Sequence, residues 1–319
     1  MLRQGLLFLS ESSAARRLIT GTPLTRGLSR RFVAGETVDE LVDAVRAANA
    51  EGLTATANYL GESVKSEEAA RAAADRYVEV LERIRRDGLD ANVSLKFTQM
   101  GQNISDTFLR ANLGRVLEQA QAGGIFVRFD MESSDYTDRT LSAFRTLWSE
   151  GVRDIGVVLQ SYLRRTQADV ERMVDLGARV RLCKGAYAEP ERLAYQDREE
   201  VRASFVRAME VLLSRGHYPG IATHDDAMIR ATLEYANREG IGADRFEFQM
   251  LHGVRRDLQQ QLVAQGWRVR VYIPFGEAWY PYLMRRLAER PANVVFLAGS
   301  VLKESPLGSL FGNHGRDGR

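Results

Sequence analysis

The sequence predicts an α/β chain closed into a single (β/α)8 TIM-type barrel with extra N-terminal helices, and three observations carry that expectation. Short β-branched runs recur about eight times, each followed by a helical pattern, as parallel strands with helical crossovers require. No GxGxxG turn follows the first strand, which disfavours an open dinucleotide-binding sheet. The 319 residues contain no linker and no low-complexity segment, and a barrel of this length is common.

In chain order, the opening stretch holds Arg3, Arg16, Arg17, Arg26, Arg30 and Arg31 against one acid, Glu11. That composition suits a transit peptide or a membrane-surface helix. It equally suits helices packed on a domain, and Leu6, Leu7, Phe8 and Leu9 need burial somewhere, so residues 1–35 are expected to form a helical segment. The barrel should span 36–310, and the glycine- and charge-rich 311–319 should be a disordered tail.

Thr37-Val-Asp-Glu40 is a capping box that opens an amphipathic helix through Val45 and Ala48. A strand over Leu53–Tyr59 precedes an alanine-rich helix from Ser66 to Arg86, ending near Gly88. Further strands are expected at Asn92–Phe97, Gly124–Asp130, Ile155–Gln160, Ala178–Cys183, Gly220–His224, Arg245–Leu251 and Arg268–Ile273. Helical patterns between them include Thr140–Ser149, Ala168–Leu176, Val201–Leu213, Ala227–Arg238 and Arg255–Gln265.

After the last strand, Trp279 to Arg290 reads as a helix that Pro291 stops. Tyr282, Arg285, Arg286 and Glu289 fall at i, i+3, i+4 and i+7 and share one face. Two adjacent guanidiniums suit a carboxylate or phosphate. The plainer alternative is a solvated face, but the position just past a strand's C-terminal end favours a site.

Composition narrows the function classes. Hydrophobic residues make up 45% and charged residues 27%, so the chain is globular. The formal charge of +2 is not concentrated as nucleic-acid binding requires. A single cysteine, Cys183, excludes an intrachain disulfide, and no apolar run is long enough to span a bilayer. The default compartment is the cytosol.

In such a barrel the C-terminal strand ends line the site. Those ends carry Lys96, Asp130, Gln160, Arg181 with Lys184, Thr223 with His224, Gln249 and Tyr272. With Arg285 and Arg286 the cations outnumber Asp130 and Glu289, so a cationic pocket suited to anions is expected. Lys184-Gly185-Ala186-Tyr187 sets a lysine and a flexible backbone where cofactor phosphate or ring atoms could be met. His217, His224, His252 and His314 show no metal spacing, and no GxSxG elbow occurs. Cys183 lies beside two cations that would lower its pKa, although an apolar strand position explains it more simply.

Together, Val93-Ser-Leu-Lys96, Phe129-Asp-Met-Glu132, Val158-Leu-Gln-Ser-Tyr162, Arg181-Leu-Cys-Lys-Gly-Ala-Tyr187, Ala222-Thr-His224, Phe246-Glu-Phe-Gln-Met-Leu251 and Tyr282-Leu-Met-Arg-Arg-Leu-Ala-Glu289 resemble the proline dehydrogenase family, in family order. The resemblance is to the short, single-activity bacterial type. It implies a distorted barrel that holds FAD noncovalently without a Rossmann domain. It also implies oxidation of L-proline to 1-pyrroline-5-carboxylate by hydride transfer to flavin N5, with a membrane quinone taking the electrons. The resemblance thereby implies a peripheral position at the inner face of the cytoplasmic membrane. Functional coupling to a pyrroline-5-carboxylate dehydrogenase follows from the same resemblance.

Position by position, the resemblance implies that Arg285, Arg286 and Lys96 bind the proline carboxylate, with Asp130 ordering those cations. Tyr272, Tyr282 and Leu251 would pack on the pyrrolidine ring. Arg181 would lie against the flavin near N5, and Gln160 would meet the isoalloxazine edge. Met131, Lys184, Gly185, Ala186, Tyr187, Thr223, His224 and Glu289 would complete the FAD site. Cys183 stands where the family usually has an aliphatic residue, and Phe97-Thr-Gln99 departs from the family's small hydroxyl residues.

Two other readings stay open on the residues alone. One is a Schiff-base aldolase using Lys96 or Lys184 as the amine nucleophile. The other is a barrel that binds a ligand or cofactor as a sensor without turnover.

Overall fold

The computed structural model describes residues 30–289, with side chains through Met284. Eight parallel strands close in sequence order into a barrel. Closure comes from β1 (Thr54–Tyr59) pairing β8 (Val269–Phe275), in a register running from Thr54 opposite Arg270 to Tyr59 opposite Phe275. Between them lie β2 (Ala91–Leu95), β3 (Val127–Phe129), β4 (Ile155–Gln160), β5 (Arg179–Cys183), β6 (Gly220–Ala222) and β7 (Glu247–Leu251).

Helix α1 (Val38–Ala50) precedes β1, and the expected capping box is present, with Glu40 N donating to Thr37 Oγ1 at 3.2 Å. Between successive strands come α2 (Glu67–Arg86), α3 (Asp106–Ala122), α4 (Ser134–Ser149), α5 (Thr166–Asp175), α6 (Arg198–Arg215), α7 (Asp226–Arg238) and α8 (Arg256–Ala264); α9 (Trp279–Glu289) follows β8. Among these, α3 is not singled out by the sequence pattern, since Asn112 is among its buried residues alongside Leu109, Leu113 and Val116.

Helix α4 begins six residues before its expected start at Thr140, for a tertiary reason. Ser133 makes no side-chain cap; Glu189, from the β5–α6 connection, takes its place by accepting from Ser134 N at 2.7 Å and from Ser134 Oγ. A carboxylate there satisfies an orphan amide and meets the positive end of the helix. Strands β3 and β6 end earlier than the sequence suggests, leaving Asp130, Thr223 and His224 just beyond their C-terminal ends.

The main core fills the ring between strands and helices. Phe129 of β3 meets Phe97 at 4.7 Å and Phe144 of α4 at 6.3 Å between ring centroids. Truncating the fully buried Phe144 to alanine should cost about 3–5 kcal/mol. Helix α9 belongs to a separate cluster, in which Trp279, Tyr280, Tyr282, Leu283 and Met284 pack with Phe32, Val33 and Leu60, and Val254 lies against them. Leu60 and Val254 lie just past the C-terminal ends of β1 and β7, so α9 sits at that mouth. Among the described residues no helix is long and apolar enough to cross a membrane. Of the helical segment expected over residues 1–35, residues 1–29 lie outside the described residues, as does the tail expected at 311–319.

Candidate active site

The barrel interior is polar, and its centre is a carboxylate. Asp130 follows β3 directly, and its amide donates to Leu95 O at 2.8 Å, which fixes the backbone. Its Oδ1 accepts from Ser94 Oγ at 2.6 Å and from Arg181 Nη1 at 2.8 Å. Its Oδ2 accepts from Tyr272 Oη at 2.6 Å and from Lys96 Nζ at 3.5 Å. Residues from β2, β5 and β8 therefore converge on one group. Burial works to raise the Asp130 carboxyl, but Lys96 and Arg181, with the Ser94 and Tyr272 hydroxyls, hold it below its ordinary value.

Tyr272 shows the complementary effect. Burial first, and then the Asp130 charge, push its phenol well above the ordinary value, so it stays protonated and donates. The Arg181 guanidinium lies over the Tyr272 ring, 5.2 Å from the centroid. Lys96, Asp130, Arg181 and Tyr272 were each expected at the site, and the structure brings all four together. Ser94 was missed, although its place two residues before Lys96 on one strand sets both on the same face.

A second arc runs around the rim. Lys184 Nζ donates to Asp225 Oδ2 at 2.6 Å, and Arg202 Nε reaches the same oxygen at 3.1 Å. Asp225 also caps α7, accepting from Ala227 N at 3.0 Å, and its own amide donates to Thr223 Oγ1 at 3.1 Å. Burial works to raise this carboxyl, yet Lys184 and Arg202 hold it at about 2. Its role as cap and counter-ion went unrecognised; the Thr-His-Asp-Asp run before a helical pattern was the available signal.

Leu251 N donates to His224 Nε2 at 2.9 Å. The bond ties the ends of β6 and β7 and brings two expected site residues together. Gln160 is buried and donates from Nε2 to Glu132 O at 2.8 Å, beside buried Met131. Gly185 adopts φ +100°, and the Tyr162 ring occupies the space a Cβ there would need. Ala186 and Tyr187 stand exposed in the β5–α6 connection. Tyr282 is buried on α9 at the mouth. Arg285, Arg286 and Glu289 lie on the same helix, but their side chains are outside the described residues.

Burial pushes the Cys183 thiol up to about 11 and outweighs Arg181, which agrees with the simpler reading of an apolar strand position and not with an activated thiol. The cationic surplus counted from the sequence is unchanged, because the added Arg202 and Asp225 offset each other; Lys96 and Arg181 share Asp130 while Lys184 and Arg202 share Asp225. An ammonium held on a carboxylate is a poor nucleophile, which weighs against a Schiff base at Lys96 or Lys184. Among the described residues no group of His, Cys, Asp and Glu could hold a metal ion.

The rim suits a large polar cofactor by its chemistry. Lys184 offers a cation beside Gly185, Thr223 a hydroxyl, Gln160 an amide carbonyl, and Tyr187 an exposed aromatic face.

The sequence model of the family described as "Proline dehydrogenase" matches residues 41–299. Proline dehydrogenase 1 of Bacillus subtilis subsp. natto is 38% identical over 304 residues, covering 95% of this chain and all of the relative. Proline dehydrogenase of Deinococcus radiodurans is 41% identical over 281 residues, covering 86% of this chain and 90% of the relative. A crystal structure of proline utilization A from Bdellovibrio bacteriovorus inactivated by N-propargylglycine superposes with a TM-score of 0.79 at 27% identity, covering 90% of this chain and 35% of that one.

Proposed function

The chain belongs to the proline dehydrogenase family, and from that premise we propose that it oxidises L-proline to 1-pyrroline-5-carboxylate with FAD as cofactor and a quinone as final acceptor. Its activity is the family's, an oxidation that opens proline catabolism. The observation that carries the finer reading is the convergence of Lys96, Arg181 and Tyr272 on Asp130.

Proline presents a carboxylate, a secondary amine and a saturated ring, and the proposed site answers each part. Lys96, with Arg285 and Arg286, binds the carboxylate; Asp130 keeps Lys96 extended toward the mouth, so the clamp forms at little entropic cost. Tyr272, Tyr282 and Leu251 cover the ring and exclude water. Arg181 presents a fixed cation beside the cofactor's reactive edge. Gln160, Met131, Lys184, Gly185, Ala186, Tyr187, Thr223, His224 and Glu289 hold the cofactor along the rim. FAD, when bound, would supply the hydride acceptor that these residues orient the ring toward.

A quinone acceptor implies peripheral contact with the inner face of the cytoplasmic membrane, and the product suits a pyrroline-5-carboxylate dehydrogenase. The test is product analysis. Protein supplied with FAD, L-proline and a soluble quinone should release a compound lighter than proline by two hydrogens. Intact proline after prolonged incubation would reject the reading.

A further inference from the structure

Arg181 is held at two points. Its Nη1 donates to Asp130 Oδ1 at 2.8 Å and to Ser94 Oγ at 3.2 Å, and its Nε donates to Gln249 Oε1. Gln249 sits on β7, buried, and no site role has been given to it so far. It stands between a group that can only donate and one that can only accept. Oε1 takes the Arg181 proton, while Nε2 donates to Glu247 Oε1 at 2.6 Å. Only one of the two amide orientations satisfies both neighbours. The flipped amide would set NH2 against N–H and oxygen against carboxylate.

Glu247 is itself anchored. Its Oε1 also accepts from Arg270 Nε at 2.7 Å, and Arg270 Nη1 donates to Ala55 O at 2.6 Å. A continuous series therefore runs from the backbone of β1, through β8 and β7, to the guanidinium on β5. The sequence provides room for it at Gly220. This residue pairs with Arg181 on one side and Glu247 on the other, and a Cβ there would overlap the Gln249 amide.

We propose that Gln249, oriented by Glu247, is a positioning residue that sets the plane of the Arg181 guanidinium at the barrel centre. A guanidinium anchored through Nη1 alone can swing about that bond, and the second anchor at Nε removes the freedom. The proposal rests on the reading of Arg181 as a cofactor contact.

The experiment compares Gln249→Leu, Gly220→Ala, the double variant Glu247→Leu/Gln249→Leu and Arg181→Ala in FAD-loaded enzyme. It reads kcat and KM for L-proline, the midpoint potential of the bound flavin, and Tm. Gln249→Leu should lower kcat on the order of tenfold with little change in KM, because orientation rather than affinity is lost. The midpoint potential should fall, and a tenfold change in the two-electron equilibrium corresponds to about 30 mV. Gly220→Ala, which removes no hydrogen-bonding group, should reproduce both effects by displacing Gln249.

The double variant Glu247→Leu/Gln249→Leu should be no slower than Gln249→Leu, since Glu247 acts through Gln249. A Gln249→Leu enzyme with lowered Tm but unchanged kcat and potential would overturn the proposal. If Arg181→Ala also leaves both unchanged, the reading of Arg181 fails and the proposal with it. A shift in Arg181→Ala alone would leave that reading standing and reject the positioning role.

Discussion

The Tyr272 hydroxyl donates to Asp130 Oδ2 at 2.6 Å, joining β8 to the end of β3 across the barrel. The two residues are 142 apart in sequence, and their bond depends on barrel closure. It leaves Asp130 ionised and Tyr272 protonated, the charge state in which both Lys96 and Arg181 keep their partner.

Tyr272→Phe removes that bond and keeps the ring. A hydrogen bond to a charged group contributes about 1.5–3 kcal/mol, so Tm should fall by several degrees. Proline KM should rise with FAD affinity unchanged, as steady-state kinetics and flavin titration would show. Loss of FAD with an unaltered KM would assign Tyr272 to the cofactor instead.

Asp130→Ala leaves Lys96 and Arg181 partly buried without their carboxylate, and breaking such a pair costs about 3–5 kcal/mol. Urea unfolding should show it. Because the folded carboxyl lies below its ordinary value, its contribution is complete above the unfolded pKa of 3.8 and is lost as pH falls through the lower folded value. A wild-type minus Asp130→Ala difference that does not shrink in acid would contradict this account.

His252 makes acid sensitivity begin earlier. Burial, followed by Arg256, lowers its imidazole from 6.5 to about 4. The unfolded chain takes up that proton first, so stability should decline as pH falls from about 6.5 to about 4, by on the order of 3 kcal/mol. Replacing it with asparagine should flatten the decline in that window. An identical pH profile for His252→Asn would remove the group from the account.

Asp225→Ala removes a helix cap and the shared partner of Lys184 and Arg202. The cap contributes about 1 kcal/mol. FAD affinity should also drop, since Lys184 loses the contact that fixes its direction. Thermal unfolding of the apoprotein reads the first effect and flavin titration the second; a Tm loss with unchanged titration would restrict Asp225 to capping.

Strand count and order of elements were legible because each depends on local pattern, and so were the four residues that the structure gathers around one carboxylate. Lys96 and Asp130 directly follow β2 and β3, at the end where a barrel directs chemistry, while Arg181 and Tyr272 lie within β5 and β8. Other features depend on contacts between distant segments, which pattern cannot express. Glu189 caps α4 from another connection, so the start of that helix was set too late. Gln249 appeared among the strand-end residues, but its role appears only when Arg181 and Glu247 flank it.

The central claim is that L-proline gives its electrons to a flavin held at this barrel mouth. The direct test is anaerobic: record the visible spectrum of the FAD-loaded protein, then add L-proline. The account predicts that proline bleaches the oxidised flavin band and that glutamate does not. A flavin band that persists with proline, or a protein that retains no flavin after FAD is supplied, would contradict it.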